Sequence, residues 1–179
     1  MFNQLSHHQC IFKIDKSKVI VMARKISLEE VPSLVGQELG VTEWQTIKQD
    51  DINTFADLTG DNTWIHVDVE RANRELGGTV CHGFLTLSNV PGHWLTLAEI
   101  TGWEYGYMYG LDKTRWLHPV TSGDRIRLRA TMAEPEQRNG GTIVTIKCVM
   151  EIEGKDKPAL ATDWREIFYT ESPDKQTTS

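Results

Sequence analysis

His82-Gly-Phe-Leu-Thr-Leu-Ser-Asn-Val-Pro-Gly-His-Trp-Leu-Thr-Leu-Ala-Glu-Ile100 is the most apolar stretch of the chain, and its contrast with the residues beyond Gly102 decides the fold. Phe84, Leu85, Leu87, Val90, Trp94, Leu95 and Ala98 form a run too long for a strand and suited to a buried helix. Pro91 lacks an amide hydrogen and its ring crowds the preceding turn, so it kinks this helix or splits it in two. Beyond Gly102 the texture changes. Tyr105–Leu111, Thr114–Leu117, Arg125–Ala133, Thr142–Ile152 and Ala159–Tyr169 read as strands, with alternation clearest in Ile126-Arg-Leu-Arg-Ala130 and Ile143-Val-Thr-Ile-Lys-Cys-Val149. Turns fall at Asn139-Gly-Gly141 and around Gly154-Lys155. Helices early and strands late predict an α+β fold in which an antiparallel sheet wraps around one central helix.

Upstream, Leu28 to Leu39 ends in Gly40, and Val41 to Ile47 reads as a strand. Asp50 or Asp51 caps a short helix whose apolar positions Ile52, Phe55, Ala56 and Leu58 share a face, and Gly60 stops it. A second short helix starts at Asp68, runs through Val69, Ala72 and Leu76, and ends at Gly77-Gly78. Asp61 therefore falls on the loop beyond the first helix and His66 just before the second.

A chain of 179 residues holds one domain, placed at 26–170, with an N-terminal extension at 1–25 and a disordered tail at 171–179. Within the extension, Met22 offers an alternative start and Ile11-Phe-Lys-Ile-Asp15 an extra strand. The net charge of -6, with acidic and basic residues interspersed, argues against a nucleic-acid partner, which calls for a basic face. No apolar run reaches the roughly 20 residues of a membrane span. The first residues lack the order of a secretory signal, and the three widely spaced cysteines, Cys10, Cys81 and Cys148, fit reduced thiols, so a cytoplasmic location is expected.

Reactive groups are densest in Thr59-Gly-Asp-Asn-Thr-Trp-Ile-His-Val-Asp68, where a carboxylate and an imidazole lie five residues apart on a loop between short helices. Removing water from a 3-hydroxyacyl thioester needs a base for the hydrogen beside the carbonyl and an acid for the departing hydroxyl. Asp61 and His66, sharing one water, suffice for that; the plainer alternative is that Asp61 caps the loop and His66 bonds nearby backbone. A second cluster, Gly77-Gly-Thr-Val-Cys-His-Gly-Phe-Leu-Thr-Leu-Ser88, puts small residues where the buried helix opens. A free N–H at a helix start is an oxyanion donor, and Gly83 leaves room for a thioester carbonyl to approach it.

Together these segments resemble the MaoC-like dehydratase family, the (R)-specific enoyl-CoA hydratases, whose signature reads Thr/Ser-Gly-Asp-x-Asn-Pro-x-His-x-Asp followed by a Gly-x-x-x-His-Gly helix start. Within it the chain looks most like the nodulation protein N-like branch, through Trp64-Ile-His-Val-Asp68, His82-Gly-Phe-Leu-Thr-Leu-Ser88 and Tyr109-Gly-Leu-Asp-Lys-Thr-Arg-Trp116. The resemblance runs from about Val31 to Tyr169. It implies a hotdog fold, a homodimer whose subunits together form the site, and a thioester of coenzyme A or of an acyl-carrier protein as substrate. Carried over by position, Asp61, His66 and the Gly83 N–H are the catalytic groups, with Asn62, Trp64, His82 and Ser88 on the substrate side and no cofactor beyond the coenzyme A of the substrate. Thr63 and Trp64 depart from the Asn and Pro of the pattern: a polar contact is missing, and an indole narrows the pocket or reshapes the loop. Pro91 stands where the family's helix often carries a serine, with Ser88 one turn earlier.

Two other activities are compatible with the same fold: an acyl-thioester-binding module without turnover, suggested by Trp64, and thioester hydrolysis. His66, Asp68 and His82 have metal-ligand chemistry but lack a further strong ligand nearby, and no metal is expected. Cys81 beside His82 reads as a small buried residue rather than a nucleophile with its base. Arg115, Arg125, Arg127 and Arg129 read as a solvated sheet face, the phosphates of coenzyme A being their alternative use. Trp94, Trp103, Trp116 and Trp164 are assigned to core or interface.

Overall fold

The computed structural model describes residues 23–171. The strand at Ile11–Asp15, the start at Met22 and the tail beyond 171 lie outside the described residues. The elements, in chain order, are β1 (Arg24–Ser27), a 3-10 turn (Val31–Leu34), β2 (Glu38–Val41), β3 (Gln45–Thr46), α1 (Gln49–Thr59), α2 (Trp64–Val67), α3 (Val69–Leu76), α4 (Gly83–Ser88), α5 (Val90–Leu97), β4 (Ala98–Thr101), β5 (Tyr105–Trp116), β6 (Arg125–Met132), β7 (Glu136–Arg138), β8 (Gly141–Ile152) and β9 (Leu160–Tyr169). The domain boundary drawn at residue 26 thus falls inside β1.

The apolar run is divided as Pro91 requires. α4 and α5 meet at Asn89, and Pro91 occupies the first turn of α5, where its missing N–H has no helical partner to lose. The helix ends earlier than its apolar content suggests: Ala98–Thr101 is β4, paired in parallel with β1 through Ile26 opposite Ile100. Val41 to Ile47 is likewise not one strand. β2 and β3 are short pieces, both antiparallel to β6 and separated where Thr42 turns its side chain inward.

The main sheet runs β2-β6-β8-β9-β5, all antiparallel, with β3 beside β6 and β7 beside β8. The two strands expected at 105–111 and 114–117 are one, β5, whose register against β9 slips between Met108 and Gly110 and again between Asp112 and Arg115, so the strand coils without leaving the sheet. Asn139 and Gly140, both at positive φ, make the two-residue turn between β7 and β8.

Period-two alternation sorts the sheet faces. Ile126, Leu128, Ala130 and Met132 of β6 point inward beside Ile152, Met150, Cys148 and Ile146 of β8. They pack with Leu87 of α4 and Val90 and Trp94 of α5, together with Leu160 and Phe168 of β9, so the sheet is wrapped around the central helix pair in the hotdog arrangement. The outward arginines of β6 are paired with acids in the sheet plane: Arg125 with Glu153 at 2.9 Å, Arg127 with Glu151 at 2.6 Å, and Arg129 with Glu151 at 2.8 Å and Glu38 at 2.6 Å. The helix pair is not covered all round. Phe84 is 65% and Leu95 59% exposed, and Tyr107, Met108, Leu111 and Trp116 are exposed along β5, a terminal strand of the sheet path.

Candidate active site

Three local signals fix the approach to the site. The Asp51 carboxylate accepts the Lys48 N–H at 2.9 Å at the start of α1, Gly60 ends that helix in the left-handed region, and Asp68 caps α3 by accepting the Arg71 N–H at 3.0 Å. Between them α2, a single turn that the sequence pattern does not reveal, carries His66. His66 is buried, whereas the Asp61 side chain on the preceding loop is 52% exposed.

The His66 Nδ1 lies 2.6 Å from the Val80 carbonyl oxygen. A carbonyl only accepts, so in the neutral ring the proton is on Nδ1 and the Nε2 lone pair is free. That Nε2 lies 3.9 Å from Asp61 Oδ2. Two acceptors at this separation do not bond each other, and both can accept from a single water. The other carboxylate oxygen, Oδ1, accepts the Thr63 hydroxyl at 2.7 Å and the Thr63 amide at 3.3 Å. These bonds, the hydroxyl first, hold the Asp61 carboxyl below its ordinary range, with the nearby imidazoles adding a smaller effect in the same direction. Thr63, standing where the family pattern has Asn, thus makes a polar contact of its own, to Asp61. An Asp with Thr two residues later is an Asx-turn pattern, and that is the sequence signal that reveals it.

The family pattern puts His82 on the substrate side. Its ring is 4% exposed, donates Nε2–H to the Asp61 backbone oxygen at 2.9 Å, and stacks on His66 with centroids 3.7 Å apart and planes 23° from parallel. The Arg71 guanidinium lies over one face of the Trp64 indole at 3.8 Å, tying α2 to α3. The Ser88 hydroxyl donates to the Phe84 carbonyl oxygen one turn back, so it gives Asp61 no support. Asn62 is exposed beside Asp61.

Gly83 opens α4, and its N–H has no acceptor among the described residues. What demands glycine there is partly Trp116 of β5. The indole donates Nε1–H to the Gly83 carbonyl oxygen at 2.7 Å, and a β-carbon on Gly83 would lie 2.8 Å from that nitrogen. Val80, Cys81, Gly83, Thr86, Trp116 and Val120 line a cavity of about 320 Å³ next to this helix start.

Asp61, His66 and His82 offer three potential metal-ligand atoms within 4.8 Å of one another. The grouping differs from the one read in the sequence, because Asp68 is occupied as a helix cap and Asp61 takes its place. Lone pairs lie in the plane of an imidazole, and these two planes are nearly parallel, so the nitrogens point side by side rather than at one centre. Burial pushes the Cys81 thiol up to about 11, which leaves it protonated and a poor nucleophile. No helix among the described residues is long and apolar enough to cross a membrane.

Comparison with known proteins bears on the family and the fold. Nodulation protein N of Rhizobium leguminosarum bv. viciae is 41% identical over 155 residues, covering 84% of this chain and 96% of that one. The 3-hydroxyacyl-thioester dehydratase Z of Mycobacterium tuberculosis is 37% identical over 139 residues, covering 76% and 92%. Among solved structures, a monoamine oxidase regulatory protein from Archaeoglobus superposes with a TM-score of 0.69 at 26% identity, covering 84% of this chain and 99% of that one. An R-hydratase from Pseudomonas aeruginosa does so at 0.61 and 22% identity, covering 77% and 83%, a likeness of fold. With residues 30–154 matching the MaoC like domain, the chain belongs to the MaoC-like family.

Proposed function

We propose that the chain is a hydro-lyase interconverting a trans-2-enoyl thioester and the (R)-3-hydroxyacyl thioester, with Asp61 and His66 as the reacting pair. The observation that carries this reading is the 3.9 Å separation between a free imidazole lone pair and an ionised carboxylate, each able to accept one hydrogen of the same water. In the hydration direction the water oxygen bonds to C3 and gives its proton to His66 Nε2. The double-bond electrons move toward the thioester carbonyl, and the imidazolium returns a proton to C2 on the same face. Asp61 holds the second hydrogen of the water and offsets the positive charge on His66. The step balances with water and protein groups alone.

The Gly83 N–H polarises the carbonyl as negative charge builds on its oxygen, an effect worth on the order of 10²- to 10³-fold for one well-placed donor. Asn62 and Ser88, both exposed, are assigned to the substrate side. The substrate is presented by coenzyme A or an acyl-carrier protein, and the protein works as a homodimer. The exposed apolar residues of β5 and of the helix pair support the latter. The dehydratase relative supports thioester chemistry with turnover over a binding module without it.

The test is loss of the enoyl absorbance band with crotonyl-CoA and with a longer enoyl-CoA, run beside Asp61→Asn. Consumption that requires Asp61, with the (R) product on chiral analysis, is the expected result. Release of free thiol, or tight binding with no product, would replace this reading.

A further inference from the structure

His82 spends one ring nitrogen on the Asp61 backbone carbonyl and one ring face on His66, while its Nδ1 is buried without a partner among the described residues. A buried imidazole with an unpaired nitrogen carries a desolvation cost, which a plain packing residue such as leucine or phenylalanine would avoid. The Phe55 ring, 5.1 Å away and tilted, closes the space next to it. His82 is 4% exposed, and it touches both members of the reacting pair at once. It meets one through a hydrogen bond to the peptide and the other through ring stacking.

We propose that His82 is a positioning residue that sets the distance between the Asp61 carboxylate and the His66 Nε2, an inference resting on the reading of those two groups as the reacting pair. The bond to the Asp61 carbonyl fixes the peptide from which the carboxylate projects. The stack bears on the tilt of the His66 ring, whose Nδ1 is held by the Val80 carbonyl. Ordering both with one rigid group keeps two acceptors apart by the width of a bridging water, a separation they have no direct attraction to maintain. The reach of His82 is also set from both sides: it is the residue before α4, so the helix start that presents the Gly83 N–H carries this ring with it.

Two substitutions separate the two contacts. His82→Phe keeps a flat ring against His66 and loses the bond to the Asp61 carbonyl; His82→Gln keeps a donor and loses the stack. Both are expected to lower kcat by about 10- to 100-fold with KM nearly unchanged, the size of effect that a displacement near 1 Å produces. Added to Asp61→Asn, His82→Phe is expected to cost less than about threefold more, because residues acting through one group do not multiply. Imidazole nitrogen NMR gives a readout independent of turnover. Wild-type His66 carries its proton on Nδ1 and His82 on Nε2, and the His66 signals shift in either variant. Full multiplication of the losses, unchanged kcat in both variants, or His66 signals indifferent to residue 82 would overturn the proposal. If one variant does not fold, the other carries the same comparison. Absence of turnover by the wild-type protein would reject the functional reading while leaving the NMR result to judge the positioning.

Discussion

His66 and Val80 are joined by a 2.6 Å bond from ring nitrogen Nδ1 to main-chain oxygen, and this contact determines which nitrogen of the imidazole is left to accept a proton. With Nδ1 committed, Nε2 is the nitrogen open to a substrate or water. Under the proposed mechanism, replacing His66 with Ala removes the base and replacing Asp61 with Asn removes the charge that holds the water. Each is expected to cost at least about 10²-fold in kcat, in line with a single acid–base group. Steady-state rates with an enoyl thioester, beside far-ultraviolet circular dichroism to confirm the fold, make the measurement.

Thr63 is the pH control on the carboxylate. Its hydroxyl and amide favour the ionised form, so Thr63→Val, which deletes the hydroxyl, moves the Asp61 pKa upward. The Asp61 carboxyl, followed by carbon NMR, is then expected to titrate at higher pH than in wild type, with the rate near neutrality little changed. Superimposable carboxyl titrations for the two proteins would exclude the Thr63 hydroxyl as the group that lowers it.

Gly83→Ala places a methyl group where the Trp116 indole already sits. Overpacking of this kind costs about 1–3 kcal/mol, and the displaced helix start also misplaces its N–H. Lower melting temperature and lower kcat are both expected. Trp116→Val in the same chain restores part of the stability by vacating the space. A double mutant no more stable than Gly83→Ala would show that the clash is not the cause.

His93 on α5 is buried, with Nδ1 2.8 Å from the Thr42 hydroxyl and Nε2 unpartnered among the described residues, and burial lowers its pKa below 6.5. The unfolded chain binds the proton first as pH falls. The associated stability is therefore complete above about pH 6.5 and declines below it until the folded state also takes up the proton. Urea midpoints measured from pH 7.5 down to 5 should fall for the wild type and fall less steeply for His93→Gln. Parallel curves would assign the pH dependence to other groups.

The sequence is informative wherever local chemistry acts alone. Gly60, Asp68 and Gly77 end or begin helices because their requirements are met within a few residues, and Pro91 divides the apolar run for the same reason. β4 reads as helix because Ala98 and Ile100 continue the apolar content of α5, and only pairing with β1 distinguishes a strand there. β3 and β7, two and three residues long, are too short for any period to register. Asp61 and His66 are legible as a pair through their spacing and family resemblance. The job of His82 is not, since its two partners lie 21 and 16 residues away along the chain and one of them is a peptide oxygen. The Trp116 contact with Gly83 spans 33 residues and is equally hidden.

Both imidazoles at the site are held by main-chain oxygens, those of Val80 and Asp61. A peptide oxygen is supplied by whichever residue occupies the position, so the orientation of the rings is inherited through the path of the chain rather than through the spelling of its anchors. Mutations at position 80 that keep that path leave the bond to His66 in place. A site built this way can drift in sequence around its two imidazoles while His66 Nε2 keeps the same heading, and, on the proposed function, substrate preference has room to change without the chemistry being rebuilt.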